Sequence, residues 1–468
     1  VVSVSNIGSI GGGPSNFGSS ANATDGTIHM SVNGATGYLR YTGTGETTDR
    51  VVNLAANTNG AYLDQSGTGL LKFTSDFTAT GAGSKNIALL GSTAGVGEIA
   101  GAIVDNSGTN TTRISKEGTG TWVLSGNNTF TGSVTISNGV LGITNSNALG
   151  LGTKTVTINA SANKMLELDG SGGDITLGSN LSFQTSGING AIRNVAGDNT
   201  INGSITMTLG NGDTRIISDN AGSLTLAGNI SASNSGRILE LSGDSTADNT
   251  FSGSLSNSNT PALNKTGTGT WILSGTNTYA GATTVSGGTL VVNGNISTSM
   301  TTVNSGATLG GSGTTGSVTI DDGGRLAPGN SPGTLTIDGD LGLNNASLLS
   351  FELNPMDTTV GGGINDLVTG ISNLTLDGLL TVTATSGSFS GVTSGSWRLF
   401  EYSGSLTDNL LVLDTMPDLD AGYTWSLDTG ASGQINLVVI PEPRAVLLGG
   451  LGLLVLLRRS RNRSVRTA

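Results

Sequence analysis

Short apolar alternations recur along the whole chain. TWVLS at Thr121, SVTIS at Ser133, TVTIN at Thr155 and TLVVN at Thr289 place apolar side chains at alternate or adjacent positions over about five residues, and Gly, Asn or Ser closes each run. Successive strand residues face opposite sides, so each run buries one face and wets the other. The pattern predicts an all-β chain of short strands joined by tight turns. It predicts helix in one place, the apolar run near the C-terminus.

Two segments are nearly the same sentence. KEGTGTWVLSGNNTFTGSVTISNGVLGITN runs from Lys116 to Asn145, and KTGTGTWILSGTNTYAGATTVSGGTLVVNG from Lys265 to Gly294. Weaker copies place Leu71, Ile175 and Leu224 where Trp122 and Trp271 stand, at intervals of 51, 53, 49 and 47 residues. Self-similarity at a fixed period marks a repeat architecture. At about 20 to 25 residues per circuit, a repeat of this length is two rungs of a right-handed parallel β-helix, in which neighbours hydrogen-bond each rung on both sides. Trp122, Leu124, Trp271 and Leu273 are the expected repeat core, and Val123 and Ile272 point outward. Phe130 and Tyr279, each eight residues after its tryptophan, are expected to stack inward with it.

Composition narrows the function classes. Glycine contributes 76 residues, aromatics are 4% and charged residues 11%, against about 25% charged in ordinary globular domains. The net charge is −12, but residues 1 to 440 hold 14 basic and 31 acidic residues, a balance of −17 that argues against nucleic acid as a partner. Without cysteine there is no disulfide, thiolate metal site or cysteine nucleophile. The chain opens on Val1 with no basic and apolar leader, so a signal peptide is expected upstream or already removed.

The GTGTWxLSGxNT pattern at Gly118 and Gly267 resembles the autotransporter-associated β-strand repeat of surface-protein passenger domains. LAPGNSPGTLTIDGD, from Leu326 to Asp340, resembles the segment that follows those repeats, and INDLVTGISNLTLDGLLTVT, from Ile364, resembles their closing rungs. The resemblance implies a β-helical, non-catalytic passenger over 1–345, with β-rungs and a cap over 346–440. GSWRLFEYSG and AGYTWSLDTG, holding Trp397 and Trp425, are the expected capping strands. An autotransporter ends in a membrane barrel of about a dozen strands, and no such run follows Asp340, so self-transport is not expected.

The remainder, 441–468, is organised differently. Pro441, Glu442 and Pro443 precede thirteen apolar residues, and Arg458, Arg459, Arg461 and Arg463 follow. The apolar run comprises Ala445, Val446, Leu447, Leu448, Gly449, Gly450, Leu451, Gly452, Leu453, Leu454, Val455, Leu456 and Leu457. As a helix it reaches about 20 Å, against a hydrocarbon core of about 30 Å, which suits a transient membrane segment. The basic tail, 458–468, is expected on the cytoplasmic side, with the body exported. The three elements in this order resemble the PEP-CTERM sorting signal. That resemblance implies an exosortase-type processing enzyme and the inner membrane as partners, and a destination at the cell surface or in the extracellular matrix, where matrix glycans are the expected contact.

Candidate chemistry elsewhere is weak. GSGTTG, Gly311 to Gly316, has the spacing of a phosphate-binding loop but precedes a strand rather than a helix. GGGIND, Gly361 to Asp366, is one imperfect copy of a calcium-binding turn. Asp338 with Asp340, and Asp321 with Asp322, are acid pairs that a polysaccharide lyase or glycosidase on a β-helix could use, yet the body holds one histidine, His29. The reading is a non-enzymatic structural or adhesive surface protein with no catalytic, cofactor or metal residue; the alternative is that polysaccharide-active enzyme.

Overall fold

The computed structural model describes residues 1–442 apart from 33–34, 56–59, 93, 160–164, 187–189, 209–212 and 221. Among the described residues the alternations form strands throughout, and the one helix is the four-residue Ala23–Gly26. A ten-stranded stack runs from Val2–Val4 to Ile230–Ala232, and an eleven-stranded stack from Thr176–Leu177 to Val412–Thr415. A third begins at Glu46–Thr48 and continues to the C-terminal strands. Pairing within the stacks is parallel, each strand bonding one a full circuit of chain further on, as Leu39 pairs with Leu63 and Leu63 with Leu89. Long parallel stacks with almost no helix are the pattern a β-helix solenoid makes.

The strand Thr121–Leu124 shows why these sequences fold this way. Trp122 and Leu124 are fully buried while Thr121 and Val123 are half-buried, and its neighbours repeat the alternation. The stacked inward residues make one continuous apolar core along the molecule.

The first copy seats its tryptophan against a glycine of the neighbouring coil. Trp122 pairs with Gly97 on one side, and Gly97 with Leu71 beyond it. A Cβ at Gly97 would sit 2.4 Å from the Trp122 ring, so a coil bearing a large ring needs a neighbour that yields space. In the second copy Trp271 pairs with Asn249, whose Oδ1 accepts from the Leu224 amide.

The two strong copies do not lie on the same face. Trp122, Leu141, Leu166, Ile192, Ile216, Leu241 and Lys265 are successive partners on one face. Lys265, which opens the second copy, therefore stands on the column of the first copy's tryptophan. The second copy is the same two-coil unit displaced by one face.

The expected pairing of Trp122 with Phe130, and of Trp271 with Tyr279, needs correction. All four side chains are buried, but neither pair is among the ring contacts of the described residues. Eight residues carry the chain out of its strand and into the next turn, so the two rings meet different neighbours. Trp122 donates through Nε1 to the Leu90 carbonyl at 2.6 Å, and Trp271 to that of Ser242 at 3.1 Å. Phe130 lies 4.1 Å beneath the Lys154 ammonium, and the Tyr279 hydroxyl lies 2.6 Å from that of Thr283.

Buried polar side chains tie the coils together. Asn128 accepts from the Ile103 amide at 2.8 Å and donates to the Ala148 carbonyl at 2.6 Å, bridging the coils before and after its own. Asn277 holds the matching place, with Leu255 N at 2.8 Å and Gly275 O at 3.0 Å. Lys116 donates to the carbonyls of Gly118 and Asn138, and Lys265 to those of Thr266, Gly267 and Gly287. Carbonyls that turn inward at the strand ends thus find donors.

Burial pushes the ammonium groups of Lys116, Lys154 and Lys265 down to about 8. A lysine whose folded pKa lies below its unfolded value binds fewer protons folded than unfolded between the two, so stability rises with pH across that window. The urea midpoint is expected to rise from pH 8 to pH 10, and to lose that rise in a variant carrying Lys116→Met, Lys154→Met and Lys265→Met. An unchanged pH slope in the variant would show that burial has not lowered the pKa of these lysines.

At the C-terminal end the pairing reverses. Gly395–Tyr402 and Tyr423–Asp428 both run antiparallel to Gln434–Pro441. Trp397, Trp425 and Phe389 pack edge to face with centroids 5.0 to 5.6 Å apart. The reversed strands continue the third stack, since Gly395–Tyr402 also pairs in parallel with Leu367–Leu376.

Candidate functional site: outer ladders and an acidic cleft

Parallel register converts sequence spacing into columns on the outside. Thr176, Thr200, Thr225 and Thr250 are successive partners, outward between buried neighbours, and continue into Ile272 and Val291. Thr284, Thr302 and Thr319 form a second such column, with Asn264 before them. Neighbouring rungs stand about 4.8 Å apart, so each column is a closely spaced row of hydroxyls.

Charge is gathered into other columns. Lys72 pairs with Glu98 at 2.9 Å, and Arg215 with Glu240 at 2.9 Å. Arg193 reaches Glu167 at 3.3 Å on one side and Asp219 at 2.7 Å on the other. Near the N-terminus Tyr38 and Tyr62 stack outward with centroids 5.8 Å apart, and Arg40 pairs with Asp64 at 2.7 Å beside them. Asp64, although enclosed, is held below the usual carboxylate range by hydrogen bonds from Ser66, Tyr38 and Arg40, which outweigh burial. Sequence reading missed this aromatic pair because the two residues become neighbours only through coil register.

The acids singled out in the sequence serve turns. Asp338 and Asp340 are both exposed, and Asp340 Oδ1 accepts from the amide and side chain of Asn373 at 3.0 and 2.9 Å. Asp321 accepts from Asn344 at 3.2 Å, and Asp322 from the Ala346 amide at 2.9 Å. His29 is exposed, its Nδ1 3.0 Å from Asn53 Nδ2. Gly311 to Gly316 runs from the end of the strand Ala307–Gly311 through the strand Thr314–Thr315, with no helix to hold a phosphate. No group of three or more His, Cys, Asp or Glu is placed to hold a metal among the described residues.

The structure draws one candidate of that set into a different role. Asp366 is 1% exposed. Its carboxylate accepts from the amides of Gly333 and Glu352, each at 2.7 Å, tying the loop after Pro328 to the strand Leu348–Leu353. Burial, reinforced by the nearby Glu352 charge, pushes it up to about 7 against the pull of those amides. Asp366 and Glu352 line a cleft of about 190 Å³ with Ser331, Ser350 and Thr383.

Pro441 ends the last strand, and the Glu442 amide donates to the Gly422 carbonyl at 2.8 Å. Pro443, the apolar run 445–457 and the arginines of 458–468 lie outside the described residues. Among the described residues no helix is long and apolar enough to cross a membrane.

Two segments match a known repeat. They are 114–143 and 263–292, and the family is the passenger-associated transport repeat. Both matches span two successive coils, from the strand holding Lys116 or Lys265 to the strand after the next turn. A stretch of 101 residues, 22% of this chain, is 42% identical to the adhesin BmaC autotransporter of Brucella suis biovar 1 (strain 1330). That stretch spans 3% of the adhesin.

Proposed function

We propose that this chain is an exported, non-enzymatic structural or adhesive protein of the cell surface or extracellular matrix. The observation that carries the reading is the long parallel stack with outward hydroxyl columns, built around two transport-associated repeats. Its mechanism is geometric. A stiff stack presents many weak polar contacts at fixed spacing to matrix glycan, and their sum by multivalency exceeds any one of them. Similarity of one stretch to an autotransporter adhesin supports the same reading.

The coils take the right-handed sense that parallel crossovers favour. Residues 1–345 form the repeat passenger and 346–440 the closing rungs and cap, with 441–468 as a sorting signal cut near Pro441, Glu442 and Pro443 by an exosortase-type enzyme after transient membrane anchoring. Intact-mass analysis of the extracellular form is expected to show loss of the segment following this site. A full-length C-terminus outside the cell would overturn the sorting proposal.

A polysaccharide lyase or glycosidase on the same scaffold is the second reading, favoured by the two carboxylates of the cleft. Both oxygens of Asp366 are held by backbone amides, which makes it a poor nucleophile or proton donor. Screening the full chain on acidic and neutral glycans is expected to release no reducing ends or unsaturated sugars, and clear turnover would favour the enzyme.

A further inference from the structure

The cleft beside the Leu326 to Asp340 segment is a recess with chemistry of its own. It sits on the outer face of the eleven-stranded stack, where Glu352 and Thr383 are cross-strand partners. Every polar side chain lining it ends in oxygen: the carboxylates of Glu352 and Asp366 and the hydroxyls of Ser331, Ser350 and Thr383. No basic residue lines it. Asp366 is almost completely buried, so its carboxyl forms a fixed wall rather than a solvated tip. The two acids are locked together in both directions, since the Asp366 amide donates to the Glu352 carbonyl at 2.9 Å and the Glu352 amide to the Asp366 carboxylate. Among the described residues the Glu352 carboxylate has neither an ion-pair partner nor a hydrogen-bond donor.

We propose that this cleft binds an amino sugar unit, a hexosamine carrying a free ammonium group. A primary ammonium has three donors and no acceptor, which matches an oxygen-only lining in which the Glu352 carboxylate is unpartnered, the Asp366 oxygens being held by backbone amides. Hydroxyls both donate and accept, so Ser331, Ser350 and Thr383 suit the ring hydroxyls beside that ammonium. A volume of about 190 Å³ is below that of drug-sized pockets and fits a single ring. The acidic body, at −17 over residues 1 to 440, draws cations toward it and repels uronic acids or phosphate. Choosing a matrix sugar over a lysine side chain rests on the adhesive reading, whereas the preference for an ammonium rests on the cleft alone.

Ligand-observed NMR titration of the full-length protein at physiological salt separates these points, with glucosamine, N-acetylglucosamine and lysine amide as probes. Glucosamine is expected to bind, and Glu352→Gln to weaken it about tenfold with an unchanged thermal midpoint. Asp174→Asn, which removes the same charge from an exposed loop away from the cleft, controls for general attraction and is expected to leave affinity unchanged. Equal binding of N-acetylglucosamine, or an unaffected Glu352→Gln variant, would overturn the ammonium site. Tighter binding of lysine amide would overturn the sugar. Loss of matrix adhesion by wild-type protein that still binds glucosamine would count against the adhesive reading and leave the cleft standing.

Discussion

Replacing Gly97 with valine is expected to destabilise the stack by about 3 kcal/mol, the upper range for overpacking a core, with the damage centred on the coils holding Leu71 and Trp122. The added Cβ would start 2.4 Å from the Trp122 indole. That ring is fully buried, and its Nε1 is committed to the Leu90 carbonyl. It has no room to retreat, so the strand Val96–Ile99 must move out of register. Nearest-neighbour coupling in a stacked protein confines the loss to adjacent coils. Hydrogen exchange should show amides of residues 61–143 losing protection while those of 270–343 keep theirs. Adding Trp122→Leu to Gly97→Val should recover much of the stability, and failure to do so would show that the indole is not what excludes a side chain at position 97.

The second large effect is expected at the bridging asparagines. Asn128→Leu leaves the Ile103 amide and the Ala148 carbonyl without their partner inside the core, whereas Asn277→Leu orphans the Leu255 amide alone, because the Gly275 carbonyl also accepts from the Asn295 amide at 3.1 Å. Each orphaned buried group costs about 1 to 3 kcal/mol, so Asn128→Leu, with two, is expected to cost about 4 kcal/mol and Asn277→Leu, with one, about 2 kcal/mol. The two sites share no partner, and their effects should add. Urea unfolding of the single and double variants measures this. A neutral or stabilised Asn128→Leu would mean that water satisfies the bridged groups and the asparagine is dispensable.

Much of the fold was legible because alternation and internal repetition are direct consequences of stacking. TWVLS and TWILS give the strand, its inward face and the partner copy at once, and the interval between copies gives the two-coil unit. Other features depend on which residues the coils bring side by side. The displacement of Lys265 onto the Trp122 column follows from the lengths of intervening turns, which alternation does not encode. Lys116, Lys265, Asn128 and Asn277 stand among Gly, Thr and Ser in the chain, and the structure makes them interior ties. Their signal was present in the chain, since both copies keep Lys and Asn at matching places where a strand pattern alone would not require them.

The acidic cleft was hidden for a similar reason. Glu352 and Asp366 approach each other only because the chain after Leu353 loops out and returns beside the strand Leu348–Leu353. The sequence picked out Asp366 for a calcium-like turn, whereas its position makes it a clamp between Gly333 and Glu352. The outward tyrosines likewise needed register before they became a pair. The sorting motif stood out in sequence on its own terms, through its order of Pro-Glu-Pro, apolar run and arginines rather than through any contact with the stack.

The most direct test of the central claim is co-sedimentation of the purified full-length protein with insoluble extracellular matrix from the cells that make it, with the supernatant assayed for released sugar. The account predicts that the protein pellets with the matrix, that excess soluble matrix glycan competes it off, and that no reducing ends or unsaturated products appear. Protein left in the supernatant, or sugar released in proportion to enzyme and time, would contradict it.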